Sequence, residues 1–266
     1  MTAMTAETVI PGFVCSEHQH LGATRTVFRR GHGPAVIVMS EIPGITPQVA
    51  AFATRVADAG FSVWMPQLFG TPLRPISISY LGASLARVCI SREFRVLASN
   101  QSSPIVDWLR ALAREAHAEC GGPGVGAIGM CLTGNFGLAM MLDAPVIAPV
   151  LSQPSLPGAI PRKRDALHVS PAELAAAHDK IERHGARILG LRFEGDYMCP
   201  GSRFERLRHE FGSAFEGIEI ADRHANPDGF GSAHSVLTTH LIDAAGEPTR
   251  AALDRTLSFL REQLQR

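Results

Sequence analysis

Hydrophobic and polar positions follow two rhythms that alternate along most of the chain. Short runs rich in β-branched residues, apolar at nearly every position, predict strands buried on both faces at residues 35–40, 61–66, 125–130, 146–151, 188–193 and, more mixed, 217–221. Between them, apolar residues recur at helical period over residues 47–59, 103–118, 136–142, 171–184, 203–211 and 249–264. Ser170-Pro171-Ala172-Glu173 reads as an N-cap with proline at the first helical position, and Gly60 and Gly185 stand where helix C-caps belong. This alternation predicts a layered α/β structure, a mostly parallel sheet with helices on both faces. No repeat, low-complexity stretch or flexible linker interrupts it, so residues 1–266 read as a single domain. The segment 152–169, with three prolines and the basic run Arg162-Lys163-Arg164, reads as a long loop after a strand. Loops at that end of a parallel sheet commonly build the ligand site.

Composition narrows the class of function. With 266 residues, 45% of them hydrophobic and 19% charged, the chain can bury a deep core and is not a disordered segment. Lys plus Arg and Asp plus Glu are both 25, so no global field draws nucleic acid or an anionic membrane. The one short basic run carries no aromatic stacking residues, which argues against a nucleic-acid partner. Residues 1–9 lack a basic region followed by an apolar stretch, and no window has the apolar length of a membrane span. A cytoplasmic protein without a membrane partner is expected, and nothing in the sequence specifies an oligomeric state. Cys15, Cys89, Cys120, Cys131 and Cys199 are odd in number and scattered, without a C-x-x-C pair, which disfavours both a disulfide framework and structural zinc.

The stretch from Gly124 to Gly137 runs from an apolar strand through a glycine-punctuated turn into a helix, with Cys131 at the turn. Such a sharp turn lifts a nucleophile out of the strand end and forces small residues close before and after it, which Gly129 and Gly134 supply. At a helix start, unpaired N–H groups favour the thiolate, the reactive form of cysteine. A buried, inert thiol at a strand end is the plain alternative.

A cysteine nucleophile needs a base and a third group that orients the base. The strand at 188–193 ends in Glu194-Gly195-Asp196, so Asp196 sits in a loop at a strand's C-terminal end. His234 follows in the loop 227–235, after the last strand and before the final helix. The chain order nucleophile, acid, histidine is that of the α/β-hydrolases. His224 and His240 flank the same loop and compete for the role. His18 and His20 form an H-x-H pair that can bind metal, but with no convincing carboxylate or cysteine partner they are read as part of a surface strand.

From about Pro34 onward the sequence resembles the dienelactone hydrolase family. Gly129-Met130-Cys131-Leu132-Thr133-Gly134 is similar to its G-x-C-x-G-G elbow, and Asp196 to Pro200 to its D-x-x-V-P acid loop. Ala233-His234-Ser235 is similar to its G-H-S loop, and Ser40-Glu41-Ile42-Pro43-Gly44-Ile45 to its Q-E-I-F-G-V segment. The resemblance implies an α/β-hydrolase fold, with Cys131, His234 and Asp196 as a triad and the backbone N–H groups of Ile42 and Leu132 as an oxyanion hole. It further implies Glu41 as the resting partner of the thiol, displaced when substrate binds.

Two positions depart from the family pattern. Thr133 stands where glycine is preferred, and Thr238 where dienelactone-specific members carry an arginine for the substrate carboxylate. Arg92 and Arg95 lie roughly where another anion-binding arginine occurs. The expected activity is hydrolysis of a small ester or lactone without metal or organic cofactor. A broad carboxylesterase with no anionic preference and a non-catalytic relative using Cys131 as a redox sensor or small-ligand contact are the alternatives.

Overall fold

Eight strands join in one sheet in the order β1-β2-β4-β3-β5-β6-β7-β8. The computed structural model describes residues 10–90, 103–155 and 165–265. β1 (Val14–His20) and β2 (Ala23–Arg30) form an antiparallel hairpin, and β2 runs antiparallel to β4 (Ser62–Pro66). β4, β3 (Ala35–Met39), β5 (Val125–Met130), β6 (Val146–Ser152), β7 (Ile188–Phe193) and β8 (Phe215–Ile220) are parallel. From β3 to β7 every strand residue is buried, as expected of parallel strands covered on both faces. All six strand runs expected from the hydrophobic pattern are present, those of β5 and β7 with the expected bounds.

Among the described residues seven helices accompany the sheet: α1 (Pro47–Asp58), α2 (Ile78–Ile90), α3 (Pro104–Cys120), α4 (Phe136–Ala139), α5 (Pro171–His184), α6 (Gly201–Phe211) and α7 (Pro248–Leu264). α5 begins with the capping arrangement legible in its sequence: Ser170 Oγ accepts from Glu173 N, and the Glu173 carboxylate accepts from Ser170 N at 2.7 Å. It ends at Gly185 in the left-handed conformation. α4 is shorter than the expected 136–142. Arg110 of α3 donates from Nε and Nη2 to Ala139 O at 3.0 and 2.7 Å, a carbonyl that also accepts from Leu142 N, and the chain leaves the helix with Asp143 at φ 53°.

The hairpin and α2 were not signalled by apolar periodicity. β1 and β2 lie at the sheet edge and carry mostly polar, part-exposed residues, so they lack the continuous apolar run of the inner strands. Their turn, Leu21-Gly22, has φ values of 52° and 80°, the positive pair a tight hairpin needs, though without the usual Asn-Gly signal. His18 corrects the reading of a surface strand: it is buried, and Glu115 of α3, distant in sequence, supplies its carboxylate partner.

Candidate active site

β5 ends at Met130, and the chain turns directly into a 3-10 turn, Cys131–Asn135, followed by α4. Cys131 has φ 57°, a left-handed conformation that costs a non-glycine residue of order 1–3 kcal/mol and persists only where the surroundings impose it. Those surroundings are tight. A Cβ on Gly129 would lie 2.0 Å from Thr133 O, and one on Gly134 would lie 2.9 Å from Pro154 Cα. Thr133, the β-branched departure, fastens the turn instead of distorting it. Its Oγ1 accepts from Met130 N at 2.9 Å and lies 3.0 Å from Met39 O, to which it can donate, linking the end of β5 to the end of β3.

Asp196 and His234 come together from loops after β7 and after β8. His234 Nδ1–H donates to Asp196 Oδ2 at 2.6 Å, and Met198 N–H donates to Asp196 Oδ1 at 3.0 Å, so the carboxylate is held on both oxygens. Both side chains are buried. His234 is raised well above the ordinary imidazole value: burial alone pushes it down, but the charge of Cys131 and the hydrogen bond to Asp196 outweigh that penalty. Its Nε2 makes no hydrogen bond by distance and angle, although it is close enough to Cys131 for the two charges to couple. Of the competing histidines, His240 is committed elsewhere. Its Nδ1 accepts from Ser235 N, its ring packs edge-on against Phe193, and burial lowers its pKa.

Glu41 does not take the expected place beside the thiol. Its carboxylate accepts from Ser235 Oγ at 2.6 Å, Thr238 Oγ1 at 2.5 Å and Gln153 Nε2 at 3.4 Å. Three neutral donors thus hold a carboxylate that is only 2% exposed. The hydrogen-bond partner of Cys131 Sγ is instead Ser155 Oγ, 3.0 Å away. The physical reason is local. Ser235 and Thr238 each place a hydroxyl against Glu41 and so hold its two oxygens.

Beneath the thiol runs a buried polar chain with no counterpart in the sequence motifs. Ser155 N donates to Cys131 O, Asn135 Nδ2 donates to Leu132 O and Ser155 O, and Arg203 Nη1 donates to Asn135 Oδ1 and Pro154 O. Arg203 is 2% exposed and its far Nη2 meets His168 Nε2 at 3.1 Å. Asn135 stands directly after the last glycine of the elbow motif. Ser155 and Arg203 carry no local signal, because only the fold brings them to the turn.

The thiol, His234, Asp196 and Glu41 border one cavity of about 380 Å³. Ile42, Ile76, Leu81, Leu85, Met198 and Phe230 give it an apolar wall, and no Lys or Arg is among its described lining residues. Leu132 follows Cys131 in the 3-10 turn, where the first amides lack an acceptor within the turn. Arg92 and Arg95 lie outside the described residues. No described helix is long and apolar enough to cross a membrane.

A mostly parallel eight-stranded sheet with a sharp positive-φ turn after β5 and a hydrogen-bonded carboxylate and histidine on later loops defines the class as α/β-hydrolase. Residues 23–262 match the Dienelactone hydrolase family, and the chain belongs to it. Membership of that family marks it as a hydrolase of ester bonds. Several solved structures are similar in fold, three of them as follows. A protein assigned as a dienelactone hydrolase from Klebsiella pneumoniae has 18% identity and a TM-score of 0.62, with 94% of this chain and 99% of the other covered. A dienelactone hydrolase-like promiscuous phosphotriesterase from metagenomic libraries has 16% identity and a TM-score of 0.59, with 95% and 98% covered. Dienelactone hydrolase from Anabaena variabilis has 14% identity and a TM-score of 0.56, with 96% and 99% covered. No curated protein matches the sequence.

Proposed function

We propose that the protein hydrolyses small, uncharged carboxylic esters or lactones with Cys131 as nucleophile, His234 as base and Asp196 as the group that orients the base. The observation that carries this reading is the 2.6 Å Asp196–His234 hydrogen bond bordering the cavity that also holds Cys131 on its positive-φ turn. His234 Nε2 takes the thiol proton, and the thiolate attacks the carbonyl carbon. The oxyanion is stabilised by the N–H groups of Ile42 and Leu132. Collapse expels the alkoxide, which takes the proton from His234, and leaves a thioester; a lactone stays tethered through its acyl part. His234 then deprotonates a water that attacks the thioester carbonyl, releasing the acid and restoring the thiol. An oxidant-sensing thiol has no need of a carboxylate that orients His234.

The preference for an uncharged substrate rests on the apolar wall and on the binding of Thr238 to Glu41. Glu41, at the edge of the same cavity, would repel an anionic group entering beside it. The test compares kcat/KM for matched short esters with and without a carboxylate next to the ester carbonyl. The uncharged ester is expected to be the better substrate. An advantage for the carboxylated ester would overturn the preference and leave the catalytic assignment standing.

A further inference from the structure

We propose that His18, His20 and Glu115 form a binding site for a divalent transition cation of the zinc class, separate from the ester site. The two histidines are two apart on β1, so their side chains leave the strand on the same side. There they meet Glu115 on α3: His18 Nδ1 lies 3.0 Å from Oε1 and His20 Nε2 lies 2.9 Å from Oε2. All three ligating atoms fall within 4.8 Å of one another. A tetrahedral zinc ion with bonds of about 2.0–2.1 Å holds its donors about 3.4 Å apart, so the widest separation has to close by only about 1.4 Å. Two imidazoles and a carboxylate are a donor set that zinc accepts while keeping one position for water.

The surroundings resemble the outer shell of a metal site. Ser16 Oγ holds the other ring nitrogen of His18 at 2.8 Å, which fixes the ring with Nδ1 toward Glu115. Trp64 packs edge-on against His18 at 5.5 Å between ring centroids, and Trp108 against His20 at 5.6 Å. His18 is buried, while the Glu115 side chain is 40% exposed and leaves a way in for an ion. β1 is four strand positions from β5, roughly 19 Å at the usual strand spacing, so the site takes no part in chemistry at Cys131. A bound ion would fasten the edge hairpin to α3.

The test uses the full chain carrying Cys131→Ala, which keeps the probe off the catalytic thiol, stripped with a chelator and titrated calorimetrically with zinc chloride. One equivalent is expected to bind in the micromolar range or tighter and to raise the melting temperature. Because both tryptophans of the chain flank the histidines, cupric ion at the same site is expected to quench most of the intrinsic fluorescence. His20→Ala and Glu115→Gln, each in that background and checked for native circular dichroism, are expected to lose the equivalent and the quenching. His20→Ala with Cys131 intact is expected to hydrolyse esters normally. Absence of stoichiometric zinc binding, or binding and quenching undiminished in both variants, would overturn the site.

Discussion

Asp196–His234 and Glu115–His18 are histidine–carboxylate pairs of similar geometry, with Nδ1 to oxygen distances of 2.6 and 3.0 Å. They differ in what faces the other ring nitrogen. In His234 that nitrogen makes no hydrogen bond and borders a cavity beside a thiol; in His18 it is held by Ser16 Oγ. The carboxylates differ as well. Asp196 Oδ1 accepts from a backbone amide, whereas the second oxygen of Glu115 meets another imidazole. A pair of this kind becomes a base only where its far nitrogen is left to a reactant, and becomes a fastening or ligand set where every other lone pair is already engaged.

The largest effect should come from breaking the first pair. His234→Ala is expected to lower kcat/KM by about 10³–10⁴-fold, while His18→Ala leaves hydrolysis unchanged and costs only stability, which steady-state assays and denaturant melts of the two variants will separate. Asp196→Asn should lower kcat by about 10²–10⁴-fold and also alter the pH profile. Because the folded His234 value is raised, the stability it contributes is complete below the unfolded imidazole value and is lost as pH rises through the folded value. Removing the Asp196 charge narrows that window from its upper side. The pH at which stability and the imidazolium signal of His234 are lost should therefore fall, as read by unfolding at a series of pH values and by NMR titration.

An intermediate effect is expected from the chain beneath the thiol. Arg203→Met strips the partners from Asn135 Oδ1 and Pro154 O, at a cost of about 3 kcal/mol in urea unfolding. Activity should fall with it, since the same chain steadies Cys131. The smallest effect belongs to Ser155→Ala, which removes only the hydroxyl beside Sγ. The loss in kcat/KM should be about tenfold, the worth of one hydrogen bond of about 1.4 kcal/mol, with little change in stability.

The contrast between the two pairs also explains what the sequence disclosed. β5, β7 and α5 were legible to the residue because buried parallel strands and capped helices write continuous, local patterns. The meeting of Cys131, Asp196 and His234 at one cavity was legible because each follows a strand end in a segment marked by glycine and by chain order. The contacts of Glu41 were not legible, since Ser235 and Thr238 reach it from nearly two hundred residues away. Glu115 was silent for the same reason. It is an ordinary polar residue on α3 until the edge hairpin, itself hidden by its polar strands, is laid against that helix.

The most direct measurement of the central claim is alkylation of the native protein with iodoacetamide, with the labelled residue located by peptide mass spectrometry while ester hydrolysis is followed in parallel. Cys199 is a built-in control, because it is fully buried and its thiol is pushed far up by that burial. The account predicts that activity disappears in proportion to label on Cys131, with Cys199 unmodified. Hydrolysis that persists with Cys131 fully alkylated, or that is lost through label on another residue alone, would contradict it.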